Sequence, residues 1–576
     1  LLVDADLHRA LLDAAEVHAQ RRGAQAPGER RDECDDDRSD RQGAGQGFHG
    51  VSGSLAGLEH GDQVEAAQAS RDQQPGHDGR RRQRHAWVKV RVGSYEFDNT
   101  SNDQPGAFDF DGPEGWDPPT EAPLDNDAAA LRTTLWLLTD QRYKSALSDY
   151  ARKRGRRATQ VVEDGDLPSF SKESALKAND PAASAPFDRE AVAARVRKLG
   201  GGFKTYPDLF DGIVKIGVEH VVRYLVNSEG TEVVSERAIY TAYLSAATRA
   251  KDGMLLEHEK AFYGASLDEL PDDAGIAKSL AELASELRAL RDAPVVDPYT
   301  GPVILMQQAA GVFFHEAIGH RLEGERQNSE KEGRTFKGQI GQQILPEFLS
   351  VHDDPTLRSV SEHGRKISLN GHYLHDDEGV PARDVALIEK GVLRDYLMSR
   401  TPIKGSLHSN GHGRAEGTND PMGRMANLVV RSTKTVPEKR LKQMLLDEVR
   451  RQGKPYGLIV RDITGGATNT SNFGFQAFKG EPRLVYRVDA KTGAETLVRG
   501  VELVGTPLAS IGKIVATSDE VGVFNGFCGA ESGYVPVSTV APAVLMTEIE
   551  LQRSERALER APILPPPFAD EATAKR

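Results

Sequence analysis

Apolar positions are distributed very unevenly along the chain. Up to residue 85 it is dense in Arg, Asp, Gln, Gly, Ala and His, and Leu7, Leu11, Leu12, Ala15 and Val17 carry its one short helical pattern. Residues 1–85 therefore read as a disordered N-terminal extension. Because the segment opens on Leu1, it reads more readily still as a mis-called start, a translation artefact of a high-GC gene. Regular patterning starts at Trp87. Val88, Val90 and Val92 alternate with Lys89 and Arg91, the period of a half-buried strand. A linker rich in Pro, Gly and Asp fills 103–127. Leu131, Leu135 and Leu138 then predict a helix that fades into the basic run 152–157. A second polar linker covers 167–187, and a helix runs from Asp188 to Leu199, stopped by Gly200, Gly201 and Gly202. From Ile213 to Phe262 the pattern is strand-like, with a hairpin turn at Asn227-Ser228-Glu229-Gly230. Ile276, Leu280, Leu283, Leu287 and Leu290 mark a long helix over 274–291. Beyond the boundary at Pro294–Pro302, short strands and Gly-rich turns dominate to about 550. A helix at 311–320 and another near 437–451 interrupt them. The result is an α+β protein divided into the extension 1–85, an N-terminal α+β domain at 86–295 with polar linkers, a C-terminal domain at 300–552 and a loose tail at 553–576.

Composition narrows the functional classes. The hydrophobic fraction is 38%, mean hydropathy is −0.50 and net charge is −13. The acidic balance argues against a nucleic-acid partner, which would need clustered Lys and Arg, and the basic run 152–157 reads as a solvated helix end. The two cysteines, Cys34 and Cys528, stand far apart in unlike contexts, so a disulfide framework is not expected and a reducing compartment is. No run approaches the roughly 18 apolar residues of a membrane span, and no charged-then-apolar signal opens the chain. The expected location is the cytoplasm, with no membrane partner.

The segment Gly311-Val312-Phe313-Phe314-His315-Glu316-Ala317-Ile318-Gly319-His320 is apolar except for two histidines and a glutamate. Ionisable groups in such a run need a partner, because burying them unpaired is costly. Zinc peptidases commonly place His-Glu-x-x-His on one helix face with the Glu as base. Here the histidines are five apart, which on a regular α-helix leaves them about 140° out of register. A π-bulge would bring them together, and Gly319 is the permissive residue at which such a distortion around 316–320 is expected. The competing reading is a buried helix with two satisfied histidines. A catalytic zinc site also needs a third protein ligand. His352, His363, His372, His375, His408, His412 and many carboxylates are open candidates, as is Cys528, the one thiol in the folded part, which otherwise reads as a packed small hydrophobe. Gly505 to Lys513 lacks the spacing and the following Ser or Thr of a phosphate loop.

The motif Phe314-His315-Glu316-Ala317-Ile318-Gly319-His320 with Leu322-Glu323-Gly324 resembles the His-Glu-x-x-x-His signature of the TldD/PmbA peptidases, specifically the metal-bearing TldD branch. Four more ordered blocks are similar to family blocks: Asp376–Ala382 with Ile388–Leu393 just after it, Ser409–Arg414, Pro421–Asn427, and Cys528-Gly529. The resemblance runs through roughly 87–550, sparse in the first domain, which carries long polar insertions, and dense in the second.

This resemblance implies a two-domain TldD/PmbA-like architecture, with an α/β N-terminal domain and a mainly antiparallel β C-terminal domain carrying the metal-site helix. It implies that His315, His320 and Cys528 hold the metal, Zn²⁺ or alternatively Fe²⁺, and that Glu316 is the catalytic base. The implied reaction is hydrolysis of small or unfolded peptides through a metal-activated water. The implied assembly is a homo-oligomer or a heterodimer with a related subunit lacking the motif. A catalytically silent scaffold or regulatory subunit is the alternative, against which the joint presence of His315, Glu316, His320 and Cys528 argues.

Overall fold

The computed structural model describes residues 54–66, 79–100, 120–158, 167–329 except 182 and 184, 332–470 and 478–554. The helical pattern near the N-terminus, Cys34, most of the 103–127 linker and nearly all of the 553–576 tail lie outside the described residues.

The first part of the chain builds a seven-stranded sheet. Its centre is the antiparallel pair Asp211–Asn227 and Glu232–Arg249, joined by the turn expected at 227–230. Ser54–Ala66 pairs antiparallel with both Asp211–Asn227 and Gly79–Val90, so strands form inside a segment whose sequence carries no strand pattern. Backbone pairing to a strand on each side makes this element, and such pairing needs no apolar alternation. Three helices pack on the sheet: α1 (Ala128–Arg157), α2 (Arg189–Gly200) and α3 (Asp273–Asp292). Asp127, Asp188 and Asp272 cap them, each side chain accepting from backbone N–H groups of the first turn. Leu131, Leu135 and Leu138 of α1 pack with Val88, Val90 and Val226. Ile276, Leu280, Leu283 and Leu287 of α3 share a core with Val196, Phe203, Tyr240 and Leu244.

The second part is a twelve-stranded mixed sheet, mostly antiparallel, whose spine is the long strand Gly533–Arg553. That strand pairs antiparallel with Ile514–Ala530 and Tyr299–Leu305 and parallel with Asn427–Ser432. Helix α4 (Gln307–Ala317) is buried at every residue from Ala309 onward and lies in the main core against this hairpin and the strand Tyr456–Thr468. Helix α5 (Glu438–Arg451) covers the other side, with Leu441, Leu445 and Val449 inward. Arg400 joins the two parts through a bidentate pair with Glu229 at 2.6 and 2.7 Å. Among the described residues no helix is long and apolar enough to cross a membrane.

Candidate metal centre

The helix that carries His315 and Glu316 does not continue to His320. It ends at Ala317; Ile318 takes φ −117° and ψ −56°, and a 3₁₀ turn over Gly319–Leu322 follows. The distortion expected at 316–320 is therefore present, but as a helix end followed by a tighter turn rather than a π-bulge. Because the chain leaves the helix axis at Ile318, the off-face angle of a regular helix no longer applies. Gly319 is required for space and not for a left-handed backbone: a Cβ there would lie 1.9 Å from Met425 Sδ.

Cys528 approaches from the strand Ile514–Ala530, directly opposite Val535 in the hairpin. His315 Nε2 lies 3.1 Å from Cys528 Sγ, and His320 Nε2 lies 3.3 Å from it. The two imidazoles meet edge to face, with centroids 5.0 Å apart. One donor atom from each of the three residues falls within 4.8 Å of the others, and all three side chains are buried. Tetrahedral Zn–S and Zn–N bonds would space a sulfur and a nitrogen about 3.6 Å apart, a few tenths of an ångström beyond the two sulfur–nitrogen distances seen here. Thiolate and imidazole are the donors that suit a borderline-soft ion such as zinc.

Electrostatics also suit a cation. Burial works against a thiolate at Cys528, but His320, His315 and Arg424 outweigh it and hold the thiol well below its ordinary value. Burial likewise opposes charge on the imidazoles, while the Cys528 sulfur raises both and Glu323 adds to the rise at His320. Burial pushes the Glu316 carboxyl up, and the two histidines pull it back only in part. Glu316 is confined from above by the strand Tyr456–Thr468: a Cβ on Gly466 would sit 2.6 Å from Glu316 Cγ and 2.8 Å from Val312 Cγ1.

A buried ion-pair network orients one candidate ligand. His320 Nδ1 lies 3.1 Å from Glu323 Oε1, which fixes the ring so that Nε2 faces Cys528. Glu323 is wholly buried and is held by Arg326 Nε at 2.7 Å and Arg424 Nε at 3.2 Å. Arg424, also fully buried, donates to the Cys528 carbonyl at 2.7 Å and to Ser532 Oγ at 2.8 Å. Arg326 reaches on to Glu531 with two bonds of 2.8 Å. Among the described residues His315 Nδ1 has no such partner.

Glu323 and Arg424 lie within two of the sequence blocks noted above, yet neither stands out by residue type or spacing. The other candidate ligands are engaged elsewhere. His352 pairs with Asp384, His363 with Glu520, His375 with Asp180, His408 with Glu173 and His412 with Asp353, while His372 bonds the Pro355 carbonyl. The three donors and Glu316 open into a cleft of about 920 Å³ bounded on its far side by Leu255–Gly264 of the first sheet.

Residues 298–553 match the family described as the PmbA/TldA metallopeptidase C-terminal domain. A metalloprotease of Methanocaldococcus jannaschii is 31% identical over 239 residues, 41% of this chain and 47% of that protein. A zinc metalloprotease TldD homolog of Saccharolobus solfataricus is 25% identical over 373 residues, 63% of this chain and 75% of that protein. The chain thus spans about half the length of the first of these relatives. The crystal structure of TldE from Thermococcus kodakarensis shares the fold, with a TM-score of 0.56 over 87% of this chain and 96% of that one at 14% identity.

Proposed function

Because the chain belongs to the TldD/PmbA family, we propose that it is a metal-dependent peptidase in which His315, His320 and Cys528 hold the ion and Glu316 is the general base. The observation that carries this reading is the convergence of three buried donor atoms within 4.8 Å of one another, beside a buried carboxyl, in one cleft. A zinc ion there, or Fe²⁺ in its place, would supply Lewis acidity to polarise the scissile carbonyl and acidify a water.

The chain's own groups perform the remaining steps. Glu316 takes the proton of the attacking water and returns it to the leaving amine, a shuttle that suits a carboxyl whose proton affinity is raised by burial. Glu323 holds His320 in the orientation that keeps Nε2 on the donor side. The enclosing strand at Gly466 limits where the Glu316 side chain can move. The cleft admits an extended segment of a small or unfolded peptide. A second subunit, either another copy or a related chain without His-Glu-x-x-x-His, closes the cleft in the active assembly. A catalytically silent scaffold would have no use for all four groups.

Metal analysis and peptide cleavage of the wild type beside Glu316→Gln test the proposal. The expected result is one zinc per chain in both proteins and turnover in the wild type alone. Wild-type turnover in Glu316→Gln, or no retained metal in either protein, would overturn it.

A further inference from the structure

One wall of the cleft is aromatic, and its rings are held in place before any ligand arrives. Side chains alternate along the strand Ile514–Ala530, so Cys528 faces the histidines while Phe527 and Gly529 share the opposite face. Tyr534 lies directly across from Gly529, and its ring fills the space left by the missing side chain, with Cε1 2.7 Å from where a Cβ would sit. Tyr263, from the strand Leu255–Gly264 of the first sheet, meets Phe527 edge to face at 6.4 Å. Phe527 is nevertheless 42% exposed and Tyr534 65% exposed, and both line the cleft. Exposed rings in the same cleft as a candidate reaction centre are the expected form of a recognition surface.

Several polar groups nearby are already engaged. Glu259 accepts from the Tyr243 hydroxyl and pairs with Arg483, which also reaches Asp462. Glu286 is held by His258 and Lys260. A charged ligand side chain would compete with these pairs, whereas an apolar one meets the exposed rings of Phe527 and Tyr534.

We infer that Tyr263, Phe527 and Tyr534 form a subsite, in the same cleft as Glu316, for one aromatic or large aliphatic side chain of the bound peptide, so that the protein selects peptides carrying such a residue. The inference rests on the peptidase reading for its substrate and on the exposed rings for its selectivity. Each edge or offset contact with a bound ring contributes roughly two- to tenfold in affinity, and apolar pockets discriminate by roughly 10- to 200-fold.

The test uses full-length, zinc-loaded Glu316→Gln protein and fluorescently labelled hexapeptides identical except for one central Phe, Leu, Ala or Asp. The Phe peptide is expected to bind about 10- to 30-fold more tightly than the Ala peptide. Phe527→Ala and Tyr534→Ala should each shrink that ratio to about threefold or less, while Tyr534→Phe keeps it. Phe210→Ala, which removes an exposed ring that does not line the cleft, should also keep it. Equal binding of the Phe and Ala peptides, or a ratio untouched by both alanine variants, would overturn the subsite. Wild-type turnover measured alongside separates the two ideas. Phe-selective binding without turnover would sink the peptidase reading and leave the subsite standing, and unselective turnover would do the reverse.

Discussion

Replacing Glu323 by Gln changes one atom and separates two effects that the buried network combines. In the metal-free protein, Glu323 is the anion shared by Arg326 at 2.7 Å, Arg424 at 3.2 Å and His320 at 3.1 Å. Burial disfavours its charge, but His320 and Arg326 lead the groups that hold its carboxyl far below the usual range, so it is ionised at any pH of interest. Neutralising it leaves two buried guanidinium groups short of a counter-charge. That costs about 3–5 kcal/mol of folding stability. The second effect acts on the proposed metal. A carboxylate on the far nitrogen of a ligating imidazole fixes its tautomer and strengthens it as a donor; losing it lowers affinity roughly 10- to 100-fold, or about 1.4–2.7 kcal/mol.

Chelator competition gives the zinc affinity, and denaturant unfolding of the metal-free protein gives stability free of metal linkage. Glu531→Gln is the matched control. It weakens the Arg326 end of the network, where Glu531 accepts two bonds, without touching His320. It should lower stability and leave zinc affinity within about twofold. If Glu323→Gln also keeps zinc affinity within twofold while stability falls, Glu323 is a structural counter-ion and its role in positioning His320 is refuted.

Three further outcomes are expected. Gly466→Ala puts a methyl 2.6 Å from Glu316 Cγ, so turnover should drop about 100-fold with metal content unchanged; unaltered kcat would show that Glu316 needs no fixed position. Cys528→Ser replaces the sulfur that both imidazoles face, and zinc affinity in chelator competition should fall by more than about 100-fold; a variant that keeps its zinc affinity would remove Cys528 from the ligand set. Glu325 is buried beside Ser399 and the Gly423 N–H, and burial pushes its carboxyl from 4.5 up to about 7. A raised carboxyl contributes stability that is complete below pH 4.5 and is lost as pH rises through about 7, on the order of 3 kcal/mol across that window. Unfolding measured from pH 4.5 to 8 should therefore show a smaller loss for Glu325→Gln than for the wild type, and equal slopes would show that Glu325 is not the group responsible.

What could be read in the sequence divides by the range of the interactions involved. The leucine spacings at 131–138 and 276–290 report contacts made by one helix face, and a helix stands at each: Asp273–Asp292 ends just past Leu290, whereas Ala128–Arg157 runs on well beyond Leu138 through the basic run. The order of the twelve strands is set by pairings such as Asn427–Ser432 with Gly533–Arg553, more than a hundred residues apart, and no local pattern encodes them. The same division runs through the candidate centre. His315, Glu316 and His320 stood out because they interrupt an apolar run, and the structure places both histidines against Cys528. Their spacing misled because rotation per residue has meaning only while a helix lasts, and α4 stops at Ala317. Glu323 is one of two glutamates in Leu322-Glu323-Gly324-Glu325-Arg326. Both become buried, but Arg424 and Arg326 surround Glu323 with positive charge, whereas Glu325 meets a hydroxyl and a backbone N–H. Two chemically identical side chains two residues apart are thus driven to opposite protonation behaviour, one toward a permanent anion that holds His320 and the other toward a neutral acid. The difference arises from how the turn aims each carboxyl, Glu323 toward His320, Arg326 and the distant Arg424 and Glu325 toward Ser399 and Gly423, so it becomes visible only once the chain has folded.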